Sequence, residues 1–126
     1  SFGLECLSRG SKKIYFIEKD NFSYNILKKN IKLTQMENKS VCFNLDVNTF
    51  LKKNKKKFDI IFFDPPFKSF DFLDIIRVIK KFLMYKENNL VIIHRDTKIK
   101  DTFPDCIKIF KTSIYGRSKV IFGTII

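Results

Sequence analysis

Short apolar runs alternate along the chain with longer segments of helical periodicity, and this alternation constrains the fold more than any other feature. The runs are rich in β-branched and aromatic residues and almost continuous in hydrophobicity; they occupy residues 14–18, 41–46, 59–64 and 90–94. Such runs are typical of parallel strands that are buried on both faces. A repeated order of strand, helix and strand then gives right-handed crossovers and a parallel sheet covered by helices.

The segments between the runs predict helices. Apolar residues recur at helical spacing over residues 22–31, after a candidate N-cap at Asp20 or Asn21, and over residues 72–83. A shorter helix is expected over residues 47–54. Each helix would connect one predicted strand to the next, as parallel pairing requires.

The C-terminal part of the chain departs from this order. Residues 106–115 and 119–126 have strand-like patterns and are separated by a turn that contains Gly116. We expect an antiparallel pair that closes one edge of the sheet. With 126 residues, 44% of them hydrophobic, the chain fits a single domain over residues 1–126.

The balance of charge favours a polyanionic partner. The chain carries 25 Lys and Arg against 13 Asp and Glu, a formal net charge of +12 at pH 7, which suits nucleic acid. Because 21 of the 25 basic residues are lysine and Ile, Phe and Asn are also frequent, part of this excess reflects AT-rich codons. The lysine-rich stretch at residues 52–57 is either a solvated helix end or a nucleic-acid contact.

Other features exclude several classes of protein. Three cysteines without a CxxC pair and a single histidine, His94, argue against a structural zinc site and a disulfide framework, so we expect no metal. We interpret His94, at the end of the fourth run, as structural. No apolar run approaches the ~18 residues that span a bilayer, and no leader is recognised. We therefore expect a cytoplasmic protein without a membrane partner.

The most informative segment is FDIIFFDPPF. The third predicted strand ends in Asp64, and Pro65, Pro66 and Phe67 follow at the carboxyl edge of the sheet, where ligands bind in open α/β folds. An ionised Asp only accepts hydrogen bonds, and the prolines make the turn stiff with carbonyls free to accept. Converging acceptors beside an aromatic face match the exocyclic NH₂ of a planar base. The alternative is an ordinary strand-ending turn.

Two further acids end predicted strands at the same edge. Glu18 ends the first strand, where a carboxylate can accept both hydroxyls of a nucleoside ribose; the alternative is a solvated acid. Asp46 ends the second strand and is either an acceptor for an adenine amine, an N-cap for the following helix, or both. Together with Asp64, these acids favour a nucleotide site over three unrelated strand ends.

The first twenty residues, SFGLECLSRGSKKIYFIEKD, resemble the G-x-G-x-x-G-L-E-A-L-S-R-G-A…x-E-x-D stretch of class I S-adenosylmethionine-dependent methyltransferases of the RsmD type. Members of this family methylate the 2-amino group of a guanine in 16S ribosomal RNA. The similarity continues through DPPF to the final YGRSKVIFGTII and covers essentially all 126 residues. The GLE-LSRG and DPPF blocks together are more specific than either block alone.

The resemblance implies a Rossmann-like, mostly parallel sheet and S-adenosylmethionine as the cofactor. Gly3 would be the last glycine of the cofactor loop, Glu18 would bind the ribose and Asp46 would contact the adenine. Residues 64–67 would hold the target base. The implied protein is a bacterial, cytoplasmic monomer without a metal, and its substrate is 16S ribosomal RNA or a small-subunit assembly particle.

The resemblance also carries expectations about what lies outside the sequence. The family's first strand, most of its Gly-rich loop and its basic N-terminal segment would precede Ser1, so we expect a partial domain that by itself binds the cofactor weakly or not at all. Val47 stands where the family often has Ala. Two other functions stay open: a methyltransferase acting on adenine N6 or cytosine N4, because an Asp-Pro-Pro-aromatic loop serves any exocyclic amine, and a basic α/β module that binds RNA without catalysis.

Overall fold

The computed structural model describes residues 3, 6, 9–66 and 68–126. The chain divides into two compact units, Ser1–Asn54 and Lys55–Ile126. The elements described in the first unit are, in order, β1 (Ile14–Ile17), α1 (Asn21–Leu33), a 3₁₀ helix (Glu37–Lys39), β2 (Ser40–Phe43) and α2 (Val47–Lys53). Those of the second are β3 (Phe58–Phe63), α3 (Asp71–Lys81), β4 (Tyr85–Asp96), β5 (Ile107–Tyr115) and β6 (Ser118–Ile125).

The first unit contains a parallel pair of strands connected by a helix. β1 pairs with β2 in a register that aligns Ile17 with Phe43, and α1 connects the two strands. The helix begins where its cap was expected, because the Asp20 carboxylate accepts the backbone N–H of Ser23 at 2.8 Å. This hydrogen bond holds the pKa of Asp20 below its usual value. The predicted order of strand, helix and strand is therefore confirmed here.

The second unit contains a mixed four-stranded sheet in the order β3-β4-β6-β5. β3 and β4 are parallel, whereas β6 runs antiparallel to both β4 and β5. The fold is α/β with parallel crossovers and an antiparallel C-terminal pair at one edge, as predicted. The buried apolar residues of this unit lie mainly on α3, β4 and β6; they include Phe72, Ile76, Ile79, Val91, Ile93 and Ile121.

The expectation that the strands are buried on both faces is wrong for β3. Phe63 contacts Phe72 of α3, with ring centroids 5.9 Å apart. Ile60 and Phe62, which point to the opposite face because strand residues alternate, are 46% and 39% exposed. Among the described residues of the second unit, α3 is the only α-helix, so one face of this strand is better covered than the other.

Two element boundaries also differ from the prediction. α3 ends at Lys81, because Leu83 adopts a φ of 56° and reverses the chain. β4 begins at Tyr85 rather than at residue 90, and the buried side chain of Asn89 bonds to both backbone groups of Ile125 on β6. No helix in the described part of the chain is long and apolar enough to cross a membrane.

Candidate active site

The loop after β3 presents polar atoms at the carboxyl end of the strand. β3 ends at Phe63, and Asp64, Pro65 and Pro66 then leave the sheet. Asp64 and Pro66 are exposed, while Pro65 is half-buried. Phe67, the predicted aromatic platform, lies outside the described residues. The loop therefore occupies the position in the sheet that the sequence predicts for a ligand-binding segment.

His94 lies on β4, the strand next to β3, and its side chain contacts the Asp64 carboxylate. Its Nδ1 lies 3.0 Å from Oδ1 of Asp64. The register explains the contact, because Phe63 is aligned with Ile93 and the next pair along the two parallel strands is Asp64 and His94. An ionised carboxylate only accepts hydrogen bonds, so Nδ1 carries the hydrogen in this contact.

This contact leaves the second carboxylate oxygen of Asp64 available. In the part of the chain that the structure describes, Oδ2 has no hydrogen-bond partner, and 62% of the Asp64 side chain is exposed. The sequence pattern indicates a structural role for His94 and does not predict its contact with the loop. One feature of the sequence could have indicated this contact: Asp64 and His94 are the last residues of two consecutive apolar runs.

The neighbouring residue Arg95 forms a buried ion pair. Its Nε and Nη2 lie 2.9 and 3.0 Å from the two carboxylate oxygens of Asp101, and both side chains are fully buried. The guanidinium carbon also lies 5.4 Å from the ring centroid of Phe70 and 5.0 Å from that of Phe72. No motif in the sequence predicts that these residues belong to the site.

The Pro66 carbonyl is occupied by the protein itself. It accepts the backbone N–H of Ser69 at 2.9 Å and Nη1 of Arg95 at 3.1 Å. The expectation that both proline carbonyls are free is therefore wrong for Pro66, because two donors use its two lone pairs. The Pro65 carbonyl accepts no hydrogen bond from the described residues. Of the described acceptors that the sequence predicts for the base, Asp64 Oδ2 and the Pro65 carbonyl are thus available, whereas the Pro66 carbonyl is not.

Glu18 follows β1 at the carboxyl end of the parallel pair. Its backbone N–H donates to the Phe43 carbonyl at 3.0 Å and extends the pairing by one bond. The side chain is half-buried, and within the described ranges no hydrogen bond or ion pair engages its carboxylate. The Glu18 carboxylate is therefore available to a ligand at this edge.

Asp46 follows β2 and caps α2. Its Oδ1 accepts the backbone N–H of Thr49 at 3.0 Å, and its Oδ2 accepts the Thr49 hydroxyl at 2.8 Å. The backbone hydrogen bond from Thr49 is the main reason why the pKa of Asp46 lies below its usual value. The N-cap role is thus confirmed. A contact with adenine stays a prediction, since the exposed carboxylate retains lone pairs for a further donor.

Gly3 lies where a side chain would not fit. The residue is helical and half-buried, and a Cβ at this position would be 2.6 Å from Cζ of Phe16 and 3.2 Å from Cγ2 of Ile14. Close packing of a helix against a strand is the task of the last glycine in dinucleotide-binding loops. Its role toward a cofactor stays a prediction.

The predicted site residues divide between the two compact units. Gly3, Glu18 and Asp46 belong to the first, and Asp64, Pro65 and Pro66 belong to the second. Across the described ranges, no group of three or more His, Cys, Asp and Glu side chains could hold a metal ion.

A comparison with protein-family models shows which family the chain belongs to. The family model described as Conserved hypothetical protein 95 matches residues 1–124. The chain belongs to this family. It is the RsmD family, so the resemblance stated from the GLE-LSRG and DPPF blocks is confirmed.

Individual members of the RsmD family and their structures agree with this assignment. The chain is 40% identical over 70 residues to Ribosomal RNA small subunit methyltransferase D of Haemophilus influenzae, a match that covers 53% of this chain and 36% of that protein. It is 25% identical over 123 residues to the "Putative rRNA methyltransferase YlbH" of Bacillus subtilis, covering 94% of this chain and 66% of that protein. The chain thus spans less than two thirds of the length of these relatives.

A solved structure confirms the fold. The crystal structure of the "putative methylase HI0767" from Haemophilus influenzae superposes with a TM-score of 0.80 at 27% sequence identity. The match covers 96% of this chain and 77% of that one. The fold is the Rossmann-like α/β fold of class I methyltransferases.

Proposed function

We propose that the protein transfers a methyl group from S-adenosylmethionine to the exocyclic 2-amino group of a guanine in 16S ribosomal RNA. The observation that carries the proposal is the loop after β3. There, Asp64 Oδ2 and the Pro65 carbonyl are available acceptors while Oδ1 of Asp64 is held by His94. Membership of the RsmD family and the relative named for methylation of small-subunit ribosomal RNA support the reaction and the substrate class.

The two available acceptors suit the chemistry of an amino group on a purine. The nitrogen is a weak nucleophile because its lone pair is delocalised into the ring. Hydrogen bonds from its two N–H groups to Asp64 Oδ2 and the Pro65 carbonyl favour a pyramidal nitrogen with a localised lone pair. The chain would hold this nitrogen about 3 to 3.5 Å from the methyl carbon and in line with the carbon–sulfur bond. That bond breaks as the nitrogen–carbon bond forms, the electron pair stays on sulfur as a thioether, and the methylated nitrogen loses one proton to Asp64 or to solvent.

The residues of the first unit fit the proposed cofactor. S-adenosylmethionine supplies an electrophilic methyl group on a sulfonium. At the end of β1, the Glu18 carboxylate has no hydrogen-bond or ion-pair partner among the described residues, as a ribose with two hydroxyls requires. Asp46 is the proposed contact for the adenine amine, and Gly3 lies against Ile14 and Phe16 of β1, where a side chain would not fit.

The charge of the chain supports RNA as the substrate. The formal net charge is +12, and the lysines of residues 52–57 are exposed in the last turn of α2 and in the segment that follows it. Basic side chains neutralise backbone phosphates and strengthen binding to any nucleic acid without selecting a base. Free RNA and an assembly particle are both compatible with this charge.

Replacing Asp64 by alanine tests the proposed reaction. In the natural full-length protein, Asp64→Ala should lower the rate of methyl transfer about 100-fold or more, because it removes an acceptor that acts at the reacting nitrogen. Its affinity for the cofactor, measured by calorimetry, should change less than about twofold, because Asp64 binds the base. The matched control is Asp59→Ala, which removes an exposed acid at the other end of β3. Near-normal turnover by Asp64→Ala would contradict the assignment.

A further inference from the structure

The side chain of Arg95 binds the loop that carries Asp64. We infer that Arg95 is a positioning residue, which fixes the loop so that Asp64 Oδ2 and the Pro65 carbonyl stay directed at the substrate. The inference rests on the proposed function, because it assigns the part of that site that holds the loop in place. Its basis is the hydrogen bond from Nη1 of Arg95 to the Pro66 carbonyl.

The ion pair of Arg95 accounts for only part of its contacts. The carboxylate of Asp101 engages Nε and Nη2 in a bidentate pair, and this is enough to compensate the buried positive charge. Nη1 takes no part in that pair and donates to the Pro66 carbonyl at 3.1 Å. If Arg95 served only as the counter-charge of Asp101, its Nη1 would not need a hydrogen bond to the Pro66 carbonyl. The guanidinium therefore links the loop to the interior of the second unit.

The prolines explain why the loop needs an external donor. Pro65 and Pro66 lack backbone N–H groups, so these two residues donate no backbone hydrogen bond to a neighbouring strand. Among the described residues, the backbone of the proline pair is held through the Pro66 carbonyl. Ser69 and Arg95 both donate to the Pro66 carbonyl, which saturates it and keeps it turned toward the protein. The Pro65 carbonyl is left as the backbone acceptor for the substrate.

Aromatic rings fix the orientation of the guanidinium. The rings of Phe70 and Phe72 lie 5.4 and 5.0 Å from its central carbon, and an arginine packed against aromatic faces has little freedom to rotate. Phe72 belongs to α3, and Phe70 directly precedes this helix. The position of the Pro66 carbonyl is thus tied to the start of α3 and to β4 at the same time.

Consecutive residues of β4 hold the loop from opposite sides. Side chains alternate between the two faces of a strand, so His94 and Arg95 approach the loop from different faces of the sheet. His94 contacts Asp64, and Arg95 contacts Pro66. The half-buried His94 makes the contact with the Asp64 carboxylate, whereas the buried Arg95 makes the contact that sets the backbone at Pro66.

Two variants of the natural full-length protein separate loop positioning from folding. Arg95→Lys keeps the positive charge beside Asp101 but lacks the planar fork that reaches Pro66. The double variant Arg95→Met with Asp101→Leu removes both charges, so no unpaired buried charge remains. The matched control is Arg77→Met with Asp74→Leu, which removes an exposed ion pair on α3.

The variants are expected to lower turnover without weakening cofactor binding. The turnover number of methyl transfer should fall about 10-fold or more in both Arg95 variants, as loss of a charge-assisted hydrogen bond implies. The dissociation constant of the cofactor should stay within about twofold of the wild-type value. Amide hydrogen exchange at Ser69, whose N–H donates to Pro66, should accelerate about 10-fold, while exchange at Ile93 in β4 stays unchanged. The control should match the wild type in every measurement.

The exchange measurement distinguishes this inference from the proposed function. If the wild-type protein transfers no methyl group to RNA, the proposed function fails, whereas exchange at Ser69 still reports whether Arg95 holds the loop. Wild-type turnover together with unchanged Ser69 protection in the double variant would overturn the inference. A Ser69 amide that exchanges at the unprotected rate in the wild-type protein would overturn it without any variant.

Discussion

Replacing His94 by alanine removes the side chain that contacts the Asp64 carboxylate among the described residues. The lost interaction is one hydrogen bond of 3.0 Å from Nδ1 to Oδ1. Hydrogen bonds to charged groups are worth about 1.5 to 3 kcal/mol when buried. Here the two side chains are 34% and 62% exposed, and solvent screening reduces the contribution to about 0.5 to 1 kcal/mol.

This energy converts into a modest loss of rate. Because a factor of ten corresponds to about 1.4 kcal/mol, His94→Ala should lower the rate of methyl transfer about 2- to 5-fold. Asp64 itself remains and still accepts through Oδ2, so the loss should be far smaller than for Asp64→Ala. The assay is the initial rate of methyl transfer to RNA at saturating cofactor, measured with the natural full-length protein.

The conservative variant His94→Asn provides the sharper test. Asparagine offers an N–H donor at about the position of Nδ1, so this variant should recover most of the wild-type rate. A rate unchanged in His94→Ala would refute the positioning of Asp64 by His94. A loss of about 100-fold or more would also refute it, since so large an effect requires His94 to act on the reacting atoms themselves.

Two further predictions concern cofactor affinity and stability. Glu18→Gln should weaken cofactor binding about 10-fold or more, because an amide accepts hydrogen bonds from ribose hydroxyls more weakly than a carboxylate. Calorimetry measures the affinity, and Glu87→Gln, at an exposed position, is the control. Unchanged affinity in Glu18→Gln would count against the ribose role. Asn89→Ala should lower the free energy of unfolding by about 2 to 3 kcal/mol. The Asn89 side chain makes three hydrogen bonds to the backbone, and its removal takes away its bonds to the N–H and the carbonyl of Ile125. Urea unfolding should show almost no effect for its exposed neighbour, Asn88→Ala, and equal effects of the two changes would contradict the reasoning.

The order of elements could be predicted from the sequence because buried strands and helices have characteristic local patterns of apolar residues. A strand packed inside a sheet reads as a continuous apolar run, and a helix start reads as an acid followed by helical spacing, as at Asp20 and Asp46. The start of β4 could not be predicted in this way. Its first residues are polar and mostly exposed, and Asn89 is buried only because β6 supplies the partners for its amide.

The loop after β3 could be located from the sequence, but its supporting contacts could not. Asp64 and the two prolines are adjacent in the chain, whereas His94 and Arg95 contact them across 30 and 29 positions. Such contacts depend on strand register, which local patterns do not specify. The occupied Pro66 carbonyl shows the consequence, since counting proline carbonyls overestimates the acceptors that remain for a substrate.

The identity of the methylated nucleoside tests the central claim most directly. The natural full-length protein is incubated with S-adenosylmethionine carrying a labelled methyl group and with 16S ribosomal RNA, either free or in assembly particles. The RNA is then digested and its nucleosides are separated by mass. The proposed function predicts label in N2-methylguanosine with the wild-type protein and almost none with Asp64→Ala. Label in N6-methyladenosine or N4-methylcytidine, or RNA binding without any incorporation, would contradict it.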